Sequence, residues 1–182
     1  LDIFQEMAKY DLIHVMMSIT SLDDDLIRKM EPRTSTPANR LNAIEELAKN
    51  GIRVGVNAAP VIPGLTDEEL PTILKAAAER GATSAGYILL RLPGAVKPLF
   101  LEWLERELPQ RAGKILNRIK DTRNGELSSS LFRERMVGEG EIAAAIKSLF
   151  DITVGKYNLN KRWHGLSTTH FKKNSGQQFE MF

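Results

Sequence analysis

"NAAPVIPGLTDEEL", residues 57–70, is the stretch that decides how this chain folds. It is apolar as far as Ile62, breaks at Pro63-Gly64 and resumes as the opening of a helix, with Thr66 and Glu69 at capping-box spacing. Two prolines and a glycine between a buried strand and a helix exceed what a tight connection requires. Gly64 lets the backbone approach a neighbour closely, and the free N–H groups of a helix start attract polar groups. In a parallel sheet the carboxyl end of a strand is where ligands gather. The stretch therefore reads as a strand end with a function.

Working outward, the same alternation appears on both sides. "LIHVMMSIT" (12–20) is a short, largely apolar run, as expected of a strand covered on both faces. "PANRLNAIEELAKNG" (37–51) predicts a helix, with Thr36 as N-cap, Pro37 at the first helical position and Gly51 as the stop. "IRVGVNAAPVI" (52–62) is the second strand, "TDEELPTILKAAAERG" (66–81) the second helix and "SAGYILLRL" (84–92) the third strand. Strand, helix, strand, helix, strand with short links predicts a parallel sheet. Its first strand is expected to have an unpaired edge. In "SLDDDL" (21–26), Ser21 and Asp24 are expected to cap a helix and not to hold a metal.

After residue 94 the pattern turns helical. "VKPLFLEWLERELP" (96–109) places Leu99, Phe100, Trp103 and Leu104 on one stripe. "RAGKILNRIKDTR" (111–123) and "EIAAAIKSLFDITVGKY" (141–157) follow as two more helices. From Asn158 the chain is polar and basic, and a loosely ordered tail is expected. The predicted organisation is an α/β unit over 1–94, a helical extension over 95–157 and a tail over 158–182.

Composition sets the remaining bounds. The 182 residues are 42% hydrophobic and 26% charged, with a net charge of +2, as in ordinary globular proteins. No apolar run is long enough to span a membrane, and no signal peptide opens the chain, so a cytoplasmic protein is expected. The first residues, "LDIFQEMAKY", carry a helical pattern without a start signal or initiator Met, so a piece of a longer protein is expected. There is no cysteine, which excludes disulfides and a cysteine-held iron–sulfur cluster within these residues.

Taken in order, "SIT", "EPRTST", "RLNAIEELAKNGIRVGV" and "APVIPGLTDEE" resemble the radical S-adenosylmethionine superfamily, and more narrowly its spore photoproduct lyase-like, DNA repair photolyase-like branch. The resemblance implies the second half, strands four to six, of a partial (β/α)6 barrel with parallel strands, followed by C-terminal helices. It implies an enzyme that uses S-adenosylmethionine and a [4Fe–4S] cluster to make a 5′-deoxyadenosyl radical, with DNA as the implied substrate. The family's CxxxCxxC loop is absent, so the cluster cannot bind these residues and the chain alone is expected to be inactive. Of the family's GxIxGxxE signature the chain keeps Ile62 and Gly64, with Pro60 and Asp67 in place of the first Gly and the final Glu.

Carried onto this sequence, the resemblance implies cofactor contacts at Ser18, Thr20, Ile62, Gly64 and Tyr87; the chemistry of the cofactor adds Glu31, Arg33 and Ala59, and Arg91 joins them because a buried cation at a barrel mouth seldom lacks a partner. Arg33 suits the methionine carboxylate as a bidentate partner. Ser18, Thr20 or Glu31 suits the ribose, and Ala59, Ile62 and Tyr87 suit an apolar slot for adenine. A plain alternative is that Glu31 and Arg33 form a surface ion pair.

A second reading, of another class, is a non-catalytic module that binds nucleic acid or protein. It rests on Lys114, Arg118, Lys120, Arg123, Arg133 and Arg135, then Lys161, Arg162, Lys172 and Lys173. The final residues, Gln178-Phe179-Glu180-Met181-Phe182, resemble the peptide by which replication and repair proteins bind the sliding clamp. Gln178, Phe179, Met181 and Phe182 are its expected anchors. With half a barrel exposed, self-association is expected as well.

Overall fold

The structure, a computed structural model, describes residues 1–129, 134–160 and 165–172. Helix α1 (Asp2–Lys9) leads to strand β1 (Val15–Ile19) and helices α2 (Asp24–Met30) and α3 (Pro37–Lys49). Strand β2 (Val54–Val61), a 3-10 turn (Asp67–Glu69), α4 (Leu70–Glu79) and β3 (Ser84–Leu89) follow. Helices α5 (Val96–Glu107), α6 (Pro109–Asp121), α7 (Glu134–Val137) and α8 (Gly140–Lys156) complete the described chain. The three strands form one parallel sheet in the order β1-β2-β3, so among the described residues β1 has an unpaired edge as expected. This α/β architecture is compatible with part of a barrel.

Local chemistry explains the elements. The Thr36 hydroxyl accepts from Asn39 N at 3.2 Å, and Pro37 begins α3 with its φ already set. Gly51 (φ +72°) and Gly81 (φ +94°) take the left-handed conformation that ends α3 and α4. Helix α2 is capped by Asp23, whose carboxylate accepts from Asp25 N and Leu26 N, and not by the expected Ser21–Asp24 pair. Ser21 instead accepts from Asp23 N at 3.0 Å and donates to Glu69 Oε1 at 2.6 Å.

That last bond also removes the expected capping box. Glu69 reaches across to Ser21 and Leu22 N, and the Thr66 hydroxyl accepts from Ile62 N at 2.9 Å. Closing the turn after β2 satisfies buried backbone groups that a helix cap would have left open.

The sheet has two unlike faces, because side chains alternate along each strand. The register aligns Ile19, Ala58 and Tyr87 in one row, and Ser18, Asn57 and Gly86 in the next. The first row and its neighbours Val54, Val56 and Leu89 join the main core with Ile44, Leu74 and Ile146 of α3, α4 and α8. The second row, with Met16, Gly55, Ala59 and Ser84, belongs to neither hydrophobic cluster, and Met16 and Ser18 are exposed. The first strand is therefore covered on one face only, against the expectation of two.

A second core lies past the carboxyl ends of β2 and β3. It joins Ile62, Leu90 and Leu92 to Leu104 of α5 and to Ala112, Ile115 and Ile119 of α6. Leu104 is buried as the helical stripe predicts, and Trp103 Nε1 donates to Lys29 O at 2.9 Å. Leu99 departs from the stripe and is exposed. The expected tail from Asn158 starts as structure: Leu159 is buried, and its carbonyl accepts from Ala85 N at 3.1 Å along β3. Ser167 N then donates to Asp11 O at 2.9 Å.

Candidate functional site

The turn after β2 lies against α6. Residues 61–64, 66 and 67 are all buried, Val61 in the main core and Ile62 in the second. Gly64 has φ +83°, and a Cβ there would lie 2.9 Å from Arg118 Cδ and 3.7 Å from Ile115 Cα. Its N–H donates to Asp67 Oδ1 at 2.8 Å, its carbonyl accepts from Arg111 at 3.0 Å, and Arg118 lies 3.5 Å from Asp67 Oδ2. The Pro63-Gly64 turn is thus a seat on which α6 docks. Upstream, Ala59–Pro60 is cis, and the β2–β3 register shifts between Ala58 and Val61.

Where the ladder with β1 ends, the Ala59 carbonyl finds a side-chain donor. The Thr20 hydroxyl lies 3.0 Å from Ala59 O and 2.6 Å from Glu31 Oε1, its one proton shared between two acceptors. Arg40 of α3 binds Glu31 Oε2 at 2.7 Å, Ser18 O at 2.9 Å and Ser35 O at 3.1 Å. Thr34 adds a hydroxyl 3.2 Å from Glu31 Oε2. The Glu31–Arg40 pair is mostly covered, with 22% and 15% of the two side chains exposed.

Burial alone raises the Glu31 pKa. The hydrogen bonds from Thr20 and Arg40, with the Arg40 charge, outweigh it and hold the carboxyl below its ordinary value. Glu31 is therefore a fixed anion at the end of β1. The network ties β1, α2, α3 and β2 together at the carboxyl end of the sheet.

Of the residues expected from the sequence, the structure gathers Ser18, Thr20, Glu31 and Ala59. Arg33 is exposed on the neighbouring turn, and Glu31 pairs with Arg40 in its place. Ile62 is fully buried in the second core and Gly64 is enclosed by α6, so neither presents itself to a ligand. Tyr87 points to the helix-covered face, where its ring meets Phe150 at 4.7 Å, away from the Ser18 row. Arg91 lies two residues past β3, at the same end of the sheet. Gln178, Phe179, Met181 and Phe182 lie outside the described residues.

Sequence reasoning missed Arg40 and Asn57. Arg40 carried a signal: a cation in the first turn of a helix sits against the macrodipole, and it needs a carboxylate to justify it. Asn57 had no such signal, because its place on the exposed row follows only from the register.

Small residues flatten the exposed face. A Cβ at Gly55 would come within 2.3 Å of Ser84 Oγ and 2.6 Å of Met16 Sδ, and one at Gly86 within 3.2 Å of Asn57 Oδ1. Glycines line this face and polar side chains rim it. The cluster is another matter: no cysteine is present to hold iron. Among the described residues no group of His, Asp and Glu suits a metal either, and no helix is long and apolar enough to cross a membrane.

The chain is 35% identical over 112 residues to uncharacterized proteins of Mycobacterium bovis and of two Mycobacterium tuberculosis strains. The aligned part covers 60% of this chain and 33% of each relative, so the chain spans about a third of their length. No solved structure matches. The model of the radical SAM superfamily matches residues 1–77, which run from α1 into α4 and include β1, β2 and the Thr20–Glu31–Arg40 network. That match supports the radical SAM superfamily as the family of this segment.

Proposed function

We propose that residues 1–94 bind S-adenosylmethionine across the exposed face of the sheet, as part of a longer radical SAM enzyme. The observation that carries the reading is the partly exposed, glycine-flattened row Ser18–Asn57–Gly86 inside and beside the matched segment. Ser18 and Asn57 offer a hydroxyl and an amide to a ribose, and Ala59 an apolar edge to adenine. Arg33 offers an exposed guanidinium to the methionine carboxylate. Thr20, Glu31 and Arg40 fix the strand end that presents these groups.

Bound beside a reduced iron–sulfur cluster, S-adenosylmethionine supplies a 5′-deoxyadenosyl radical for hydrogen abstraction. The residues of this chain orient the cofactor; the cysteines of the longer protein hold the cluster. Within the superfamily, the order of the motifs favours the photoproduct lyase-like branch, with this sheet as strands four to six and DNA as substrate. The alternative of a basic binding module is weakened by two of its own residues: Arg118 pairs with Asp67, and Arg123 is 4% exposed.

Titration of the 182-residue chain with S-adenosylmethionine, followed by amide NMR, tests the binding. Saturable shifts in the millimolar range are expected at Ser18–Thr20, Asn57–Ala59 and Gly86, with α8 unmoved. Shifts confined to the helical layer, or none, would overturn it.

A further inference from the structure

Among the described residues, the cation at the carboxyl end of β3 has no carboxylate paired with it. Arg91 is half-buried, and its Nε is wholly buried with no hydrogen-bond partner. Among the described residues its close polar contact is from Nη1 to the Met136 sulfur at 3.8 Å, a weak acceptor. No carboxylate among the described residues pairs with it.

A second guanidinium stands beside it. Arg123, from the end of α6, donates through Nη2 to Leu90 O at 3.0 Å and to Arg135 O at 3.1 Å. Those carbonyls flank Arg91 and Met136 in sequence, so α6, α7 and the end of β3 bring both cations to one spot. Burial, and after it the Arg91 charge, push the Arg123 guanidinium below its usual range. Holding a half-buried and a buried guanidinium together costs free energy. An orphaned buried Nε–H beside a second guanidinium is an arrangement that an oxyanion completes. The doubled positive charge suits a phosphate better than a singly charged carboxylate.

We propose that Arg91 anchors a phosphate group of the enzyme's ligand at the carboxyl end of β3. Thr20 and Glu31 lie at the same end of the sheet, two strands away, or roughly 10 Å at normal strand spacing. The phosphate therefore belongs to the substrate and not to S-adenosylmethionine, which carries none. The word "substrate" rests on the radical SAM reading; the binding of phosphate does not.

The Nε–H of Arg91, being buried, is a resolvable NMR signal in the intact 182-residue chain. Titration with inorganic phosphate, without S-adenosylmethionine, should move it saturably, at constant ionic strength set with chloride. Arg91→Gln should weaken phosphate binding at least tenfold, read at the Arg123 Nε–H, while the amide spectrum of α3 and α4 stays in place. If that variant does not fold, the wild-type titration decides alone. No saturable movement, equal affinity in Arg91→Gln, or acetate matching phosphate over the same range would each overturn the proposal. Failure of S-adenosylmethionine to bind would leave the phosphate result standing, and the two readings fail separately.

Discussion

Gly64→Val should destabilise the chain by about 3 kcal/mol, the combined effect of a β-branched residue at positive φ and a steric clash. The φ of +83° is open to glycine and strained for valine. The new side chain would also meet Arg118 Cδ at 2.9 Å and press on Ile115, forcing α6 off its seat. Arg118 yields only by giving up its contact with Asp67, whose carboxylate closes the turn through Gly64 N. For a chain of this size the Tm should fall by roughly 8 °C. Gly113 provides the control on the same helix: it is exposed and a Cβ there meets nothing within 4 Å. Gly113→Ala should stabilise by about 1 kcal/mol through helix propensity. Equal stability of Gly64→Val and wild type by thermal unfolding would mean that α6 does not rest on this turn.

Arg40→Met should cost about 2 kcal/mol at neutral pH, because it leaves a mostly covered Glu31 carboxylate with only its threonine donors. The effect depends on pH with a definite sign. The folded state holds the Glu31 carboxyl below its ordinary 4.5, so the unfolded chain binds the proton more readily. The contribution of the pair is then complete above that ordinary value and is lost as the pH falls through the lower, folded one. Urea unfolding of both proteins across this range should show a wide gap at pH 7 that closes in acid. A gap independent of pH would mean that Arg40 acts by packing and not through Glu31.

The elements were legible in the sequence because each carries its own punctuation. Thr36-Pro37, Gly51 and Gly81 mark helix ends by local backbone chemistry, and the apolar runs mark the strands. Which partner a polar side chain finds was not legible. Glu69 leaves its capping role for Ser21, 48 residues away, and Glu31 passes over nearby Arg33 for Arg40. Both choices depend on how α2 and α3 cross the end of β1, which no local spacing encodes.

The site was legible in part for the same reason. Ser18, Thr20 and Ala59 could be placed from the strand ends. Tyr87 could not be assigned a face until the register aligned it with Ile19 and Ala58. Gly64 carried a genuine backbone signal, a close approach at positive φ, but the neighbour that approaches is α6. A glycine reports that something comes near; it does not say what.

Release of 5′-deoxyadenosine from S-adenosylmethionine is the most direct measure of the central claim, that this chain is one part of a radical SAM enzyme. The longer protein containing this sequence, purified anaerobically, reconstituted with iron and sulfide and reduced, should release it. The 182-residue chain treated identically should hold no cluster and release none, because it has no cysteine. Release by the chain alone, or no release by the longer protein with its cluster loaded and reduced, would contradict the account.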